Sequence, residues 1–97
     1  MTAEPTVEIA DAPDSCRYEI RVDGKLAGFS VYTRTGDDRI DFVHTEIFDE
    51  YEHHGLGGRL ARGALDDART RRLRVAADCP FIAKYLAEHQ EYADLVA

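Results

Sequence analysis

At 97 residues, with 44% apolar and 32% charged side chains, the chain suits one compact domain and shows no shift in composition that would divide it. It contains no run of roughly 18 apolar residues, which excludes a membrane-spanning helix. A net charge of −7, with basic residues scattered except between Arg69 and Arg74, argues against a general nucleic-acid binder and favours cationic partners such as amines.

Met1 to Pro5 reads as a frayed end, so the core of the single domain (residues 1–97) spans about residues 6 to 96. Thr6 to Ala10 is expected to form a short first strand, followed by the turn-rich stretch DAPDS, Asp11 to Ser15. Cys16, Tyr18, Ile20 and Val22 then alternate with Arg17, Glu19 and Arg21, the period of a strand with one wet face, and this places Cys16 in the core. Asp23-Gly24 is a two-residue hairpin signal. Lys25 to Arg34 forms the returning strand, TGDD the next turn, and Arg39 to Phe48 a further strand of the meander. In that last strand Ile40 and Phe42 share a face with His44 and Glu46, while Val43 and Ile47 lie on the other. The apolar face therefore switches near Val43 and His44. Either a β-bulge or a strand buried on both sides gives this pattern.

Gly55 to Arg72 carries a helical pattern. Leu56, Leu60, Ala61, Ala64, Leu65 and Ala68 fall on one arc, and Arg59, Arg62, Asp66 and Arg69 on the opposite one. Leu73 to Asp78 reads as a short strand, and Pro80 stands at the first position of a second helix whose stripe is Phe81, Ile82, Tyr85 and Leu86. The order is β-β-β-β-α-β-α, an α+β domain with a mixed sheet, in which the last two strands belong to a β-α-β unit and should run parallel.

Three glycines, Gly55, Gly57 and Gly58, stand where the first helix begins, although glycine is a poor helix former. A helix N-terminus presents free N–H groups and partial positive charge, so missing side chains there admit an anion such as a pyrophosphate. A strand-to-helix turn that merely needs glycine has the same composition. The spacing is neither G-x-x-x-x-G-K-[ST] nor a G-x-G-x-x-G placed after a first strand, which leaves a P-loop and a dinucleotide fold unsupported.

With these residues in view, the sequence resembles the GNAT acetyltransferase superfamily. Its motif Q/R-x-x-G-x-G/A corresponds to Glu52-His53-His54-Gly55-Leu56-Gly57, with Glu52 in place of Gln or Arg. The central block DFVHTEIFDEYEHHGLGGRLARGALDDAR and the C-terminal CPFIAKYLAEHQEYADLV are similar to a small, single-domain branch of that family, and the resemblance covers about residues 15 to 96. It implies the compact acyl-CoA N-acyltransferase fold, an acetyl-coenzyme A or coenzyme A ligand, and acetyl transfer to an amine acceptor, either a small molecule or a protein. It further implies cofactor contacts at Ile47, at the turn residues His54, Gly55, Leu56, Gly57, Gly58 and Arg59, and at Cys79. Larger members insert helices between their first two strands to build the acceptor site. DAPDS leaves no room for them, so the acceptor site should be open or borrowed from a partner. The alternative reading is a coenzyme A-binding module without catalysis.

Amine attack on a thioester requires a base, because a free amine with pKa near ~10 is mostly charged at neutral pH. His44 and Glu46 are candidates on the strand that feeds the turn; each reads more readily as a solvated surface residue. Cys79 precedes a helix start, where a thiol can be activated; lining the pocket is preferred over a nucleophilic role. Tyr85 either protonates the departing thiolate, as a tyrosine in this region does in many GNAT enzymes, or packs on the Phe81 stripe. Lys84 and the basic run Arg69 to Arg74 can meet cofactor phosphates or remain solvated. No histidine spacing supports a metal site. The two cysteines have no metal-type spacing, and the N-terminal residues lack a signal-peptide pattern, so a reduced, cytoplasmic setting is expected. The chain is expected to be a monomer or a homodimer.

Overall fold

The computed structural model describes residues 4–96. Five strands form one sheet in the order β1 (Val7–Ala12), β2 (Arg17–Val22), β3 (Lys25–Thr35), β4 (Arg39–Ile47) and β5 (Arg74–Ala77). The first four pair antiparallel with their sequence neighbours, and β4 pairs parallel with β5. Helix α1 (Leu56–Thr70) makes the crossover between those two, and α2 (Pro80–Glu88) follows β5. The expected β-β-β-β-α-β-α order is therefore present. Among the described residues no helix is long and apolar enough to cross a membrane.

The bulge is real. Val31 pairs with His44 and Tyr32 with Phe42, which leaves Val43 as an extra residue in β4. One inserted residue reverses the facing of everything after it. Ile40 and Phe42 are buried on the helix side of the sheet. Beyond Val43 that side is taken by Thr45 and Ile47, while His44 and Glu46 turn to the opposite, uncovered side.

The apolar arc of α1 is buried as its periodicity demands: Leu56, Leu60, Ala61, Ala64, Leu65 and Ala68 all join the core with Tyr18, Ile20, Ile40, Phe42 and Val75. Burying each of the larger side chains contributes about 1.5–3 kcal/mol. From α2 only Ile82 is fully enclosed; Phe81 remains 41% exposed. The C-terminal residues Gln90–Leu95 form a 3-10 turn that buries Tyr92 and Leu95, and Val96 makes a parallel bridge to Val75.

Cys16 corrects the core assignment made from alternation. It is exposed, with φ of 51°, and its N–H bonds the Pro13 carbonyl at 3.1 Å to close the Pro13–Ser15 turn. The strand begins at Arg17. The local turn, rather than the phase set by Tyr18 and Ile20, fixes where the thiol points.

Candidate functional site

Between β4 and α1 the chain makes a 3-10 turn, Asp49–Tyr51, and then passes through left-handed residues at His53 and Gly55. Gly55 caps α1, and no side chain caps it. The first backbone bond of the helix runs from the Arg59 N–H to the Gly55 carbonyl at 3.2 Å. The amides of Leu56, Gly57 and Gly58 thus precede the helical ladder and are the donors left for an outside acceptor. The Arg59 amide, expected among the free donors, is engaged.

The three glycines have three different reasons. Gly55 has φ of +73°, which a side chain rarely tolerates, and a Cβ there would meet nothing within 4 Å. At Gly57 a Cβ would lie 2.9 Å from the ring of Phe81 and 3.7 Å from Ile47, so packing between α2 and β4 dictates glycine. Gly58 is helical and uncrowded; its nearest neighbour would be Tyr85 at 4.0 Å. Only Gly58 is glycine for neither backbone nor packing reasons, and it leaves the helix start bare. His54 and Arg59 are exposed here, and among the described residues neither has an ion-pair partner. They line a cleft of about 600 Å³ with Val7, Val22 and Tyr51. A second cleft of about 310 Å³ lies across the turn, between Ile47, Gly57 and Phe81. Asp49, Glu50 and Glu52 make the approach acidic.

A second opening meets this turn from inside the sheet. Pairing of β4 with β5 stops at Phe42–Ala77. There the Phe42 carbonyl accepts from the N–H groups of both Asp78 and Cys79, each at 2.9 Å, and the chain swings off into α2. From His44 to Ile47, the only strand paired with β4 among the described residues is β3. Ile47 and Phe81 face the cleft across the turn, and Thr45 and Cys79 meet deeper in the divergence. Cys79 is 3% exposed and stands immediately before α2. Its thiol donates to Thr45 Oγ1 at 3.4 Å, and Thr45 Oγ1 lies 2.9 Å from Ser30 Oγ. Neither Thr45 nor Phe81 is conspicuous in the sequence as a site residue. The face switch in β4 is the one signal that points to Thr45.

The other candidates do not converge on Cys79. His44 and Glu46 lie on the uncovered face, 3.5 Å apart, with side chains 59% and 49% exposed. Phe29 sits beside His44 and Phe48 there, under the Arg17 guanidinium at 4.6 Å. Tyr85 stacks on His89 at 3.8 Å and lines a separate cleft with Arg62 and Tyr92. Burial holds its phenol above the ordinary tyrosine range, and so protonated. Lys84 is exposed on α2. Beside Cys79, a hydrogen bond to Asp41 holds the Asp78 carboxyl above its usual range. Arg69 and Arg71 are paired, with Asp94 and with Asp11 and Asp67, at the far end of a helix about 22 Å long. That end is a poor place from which to reach an anion at Gly58. No cluster of metal-ligating side chains occurs among the described residues.

This architecture has known relatives. A profile of the GCN5-related N-acetyl-transferase family matches residues 17–95. Protein NATD1 of Bos taurus is 28% identical over 102 residues, covering 92% of this chain and 90% of the relative. Protein NATD1 of Gallus gallus is 34% identical over 86 residues, covering 76% and 78%. Among solved structures, a GCN5-like N-acetyltransferase from Staphylococcus aureus has a TM-score of 0.70 at 23% identity, covering 93% of this chain and 87% of that one. At that identity the likeness speaks for the fold.

Proposed function

The chain belongs to the GCN5-related N-acetyltransferase family, and on that premise we propose that it is an acetyl-coenzyme A-dependent N-acetyltransferase acting on an amine. One observation carries the reading: an uncapped helix start, bare at Gly58, adjoins a cleft between Ile47 and Phe81, beyond the point where β4 and β5 stop pairing. The residues fit coenzyme A. The amides of Leu56, Gly57 and Gly58 suit a pyrophosphate. Arg59 offers a cationic side chain beside it and His54 a ring N–H, and the slot between Ile47 and Phe81 suits a narrow, largely apolar arm. When bound, acetyl-coenzyme A supplies the activated acyl thioester.

The chain's own residues divide the remaining tasks. Glu46, Asp49, Glu50 and Glu52 give the approach a negative potential that favours a protonated amine. His44, next to Glu46 on the uncovered face, is placed to take the amine's proton as the acceptor arrives from that side. Tyr85 keeps its proton at neutral pH but lines a different cleft from Phe81, which favours packing over acid catalysis.

A second reading, a coenzyme A-binding module without transfer, draws on the separation of His44 and Glu46 from Cys79 by the sheet itself. Calorimetric titration with coenzyme A tests the shared premise, and absence of binding at millimolar ligand defeats both readings. Incubation with acetyl-coenzyme A and a panel of amines, read by mass spectrometry, separates them. An acetylated amine supports the enzyme; binding with no acetylated product supports the module.

A further inference from the structure

A polar chain links β3, β4 and the start of α2 within the layer between sheet and helices. Ser30 is fully buried, and its Oγ faces Thr45 Oγ1 at 2.9 Å. Thr45 in turn receives the thiol of Cys79 at 3.4 Å, so β3, β4 and the residue before α2 each supply one atom. Thr45 reaches this layer only because Val43 bulges out of β4. Alanine and valine would fill the same volume without burying hydroxyl groups, whose desolvation is costly.

The chain has a property that packing does not require. Each hydroxyl carries one proton and accepts another. With Cys79 protonated, the thiol donates to Thr45 and Thr45 donates to Ser30. With the sulfur deprotonated, Ser30 donates to Thr45 and Thr45 donates to the sulfur. Both arrangements use the same heavy-atom positions.

We propose that Thr45 is a positioning residue for Cys79: backed by Ser30, it fixes the sulfur where the chain leaves β5 for α2 and supplies the hydrogen bond that a thiolate there needs. A part in acetyl transfer rests on the function proposed above; the effect on the thiol does not.

The test measures the thiol directly. Cys16 is exposed and would react first, so all variants carry Cys16→Ser. Alkylation of Cys79 by iodoacetamide is followed by mass spectrometry at about pH 8, where the thiolate is the attacking species. Thr45→Val is expected to slow alkylation about fivefold or more, while Thr45→Ser stays within about twofold of the parent, because only the hydroxyl differs in kind. Melting temperatures of both should stay within a few degrees of the parent. An unchanged rate in Thr45→Val, or equal slowing in both variants, overturns the proposal. Should Thr45→Val fail to fold, Ser30→Ala provides the second measurement, with slowing of about two- to threefold expected and no change counting against the chain. In acetyl transfer, Thr45→Val should lower kcat about tenfold with KM for acetyl-coenzyme A nearly kept, and Thr45→Ser should restore it. A higher KM at full kcat defeats the role in transfer. If coenzyme A does not bind yet the alkylation pattern holds, the cofactor reading falls and the role of Thr45 stands.

Discussion

The two ends of α1 are built on opposite plans. At its C-terminal end, Arg71 joins Asp11 and Asp67, Tyr18 donates to Asp67 at 2.6 Å, and Tyr92 donates to Asp66 at 2.6 Å. Arg69 closes the set with two bonds to Asp94. Almost every polar group has a partner there, and the end serves as a clamp that ties β1, β2 and the C-terminal turn to one helix. At the N-terminal end no side chain caps the helix, and His54 and Arg59 have no ionic partners among the described residues. An unsatisfied helix end costs stability, and α2 likewise starts without a side-chain cap. On the proposed reading, the difference separates what holds the fold from what is left for a ligand.

Changes at either end should break this contrast in different currencies. The largest effect is expected from Gly58→Glu, which places a negative charge where Gly58 leaves the helix start bare. Coenzyme A affinity by calorimetry should fall about a hundredfold or more, roughly 2.7 kcal/mol. Melting temperature should hold or rise, since replacing a helical glycine and adding an acid in the first turn are both favourable. Gly57 is the worse probe, because Phe81 occupies the space beside it. At the clamp, Asp67→Ala strands the buried Tyr18 hydroxyl and should cost about 2 kcal/mol, seen as a drop of roughly 10 °C in melting temperature, with coenzyme A affinity unchanged. Arg69→Ala, whose side chain is 44% exposed, should lower the melting temperature by less than Asp67→Ala in the same measurement.

Alkaline titration sharpens the same distinction. Burial first, and then the hydrogen bond to an aspartate, raises the phenols of Tyr18 and Tyr32, and pushes that of Tyr92 up to about 12. Below the unfolded-state value near ~10 both states keep their protons, so stability is intact. Above it the unfolded chain loses protons that the folded chain retains. Stability should therefore fall from about pH 10 to about pH 12, by at most about 1.4 kcal/mol per pH unit for Tyr18 and by less for Tyr32 and Tyr92, which solvent screens more. Urea melts across that range check the slope; a flat profile would mean that the tyrosines are not held as described.

Much of this was legible in the residues. The alternation of Tyr18 and Ile20, the Asp23-Gly24 turn and the arc from Leu56 to Ala68 all carried local information strong enough to place their elements. Periodicity could show that the facing of β4 switched but not how, because a bulge and a doubly buried strand give one pattern; the pairing of Tyr32 with Phe42 decides it. Cys16 failed for a related reason, since alternation cannot tell where a strand begins. The site was harder. Gly57 is glycine because of Phe81, 24 residues on, and Arg71 is paired with Asp11, 60 residues back. Contacts of that range leave no trace in spacing. His44 and Glu46 drew attention by type and position, yet the sheet sets them on the far side from Cys79, and Thr45 between them lines the opening instead.

The parallel pairing of β4 with β5 is only four residue pairs long. Each further rung past Phe42 and Ala77 would add backbone bonds, yet it would also close the cleft that Ile47 and Phe81 now line. On the proposed reading, selection for a sturdier sheet and selection for access compete at this one seam. The short ladder marks where they came to rest.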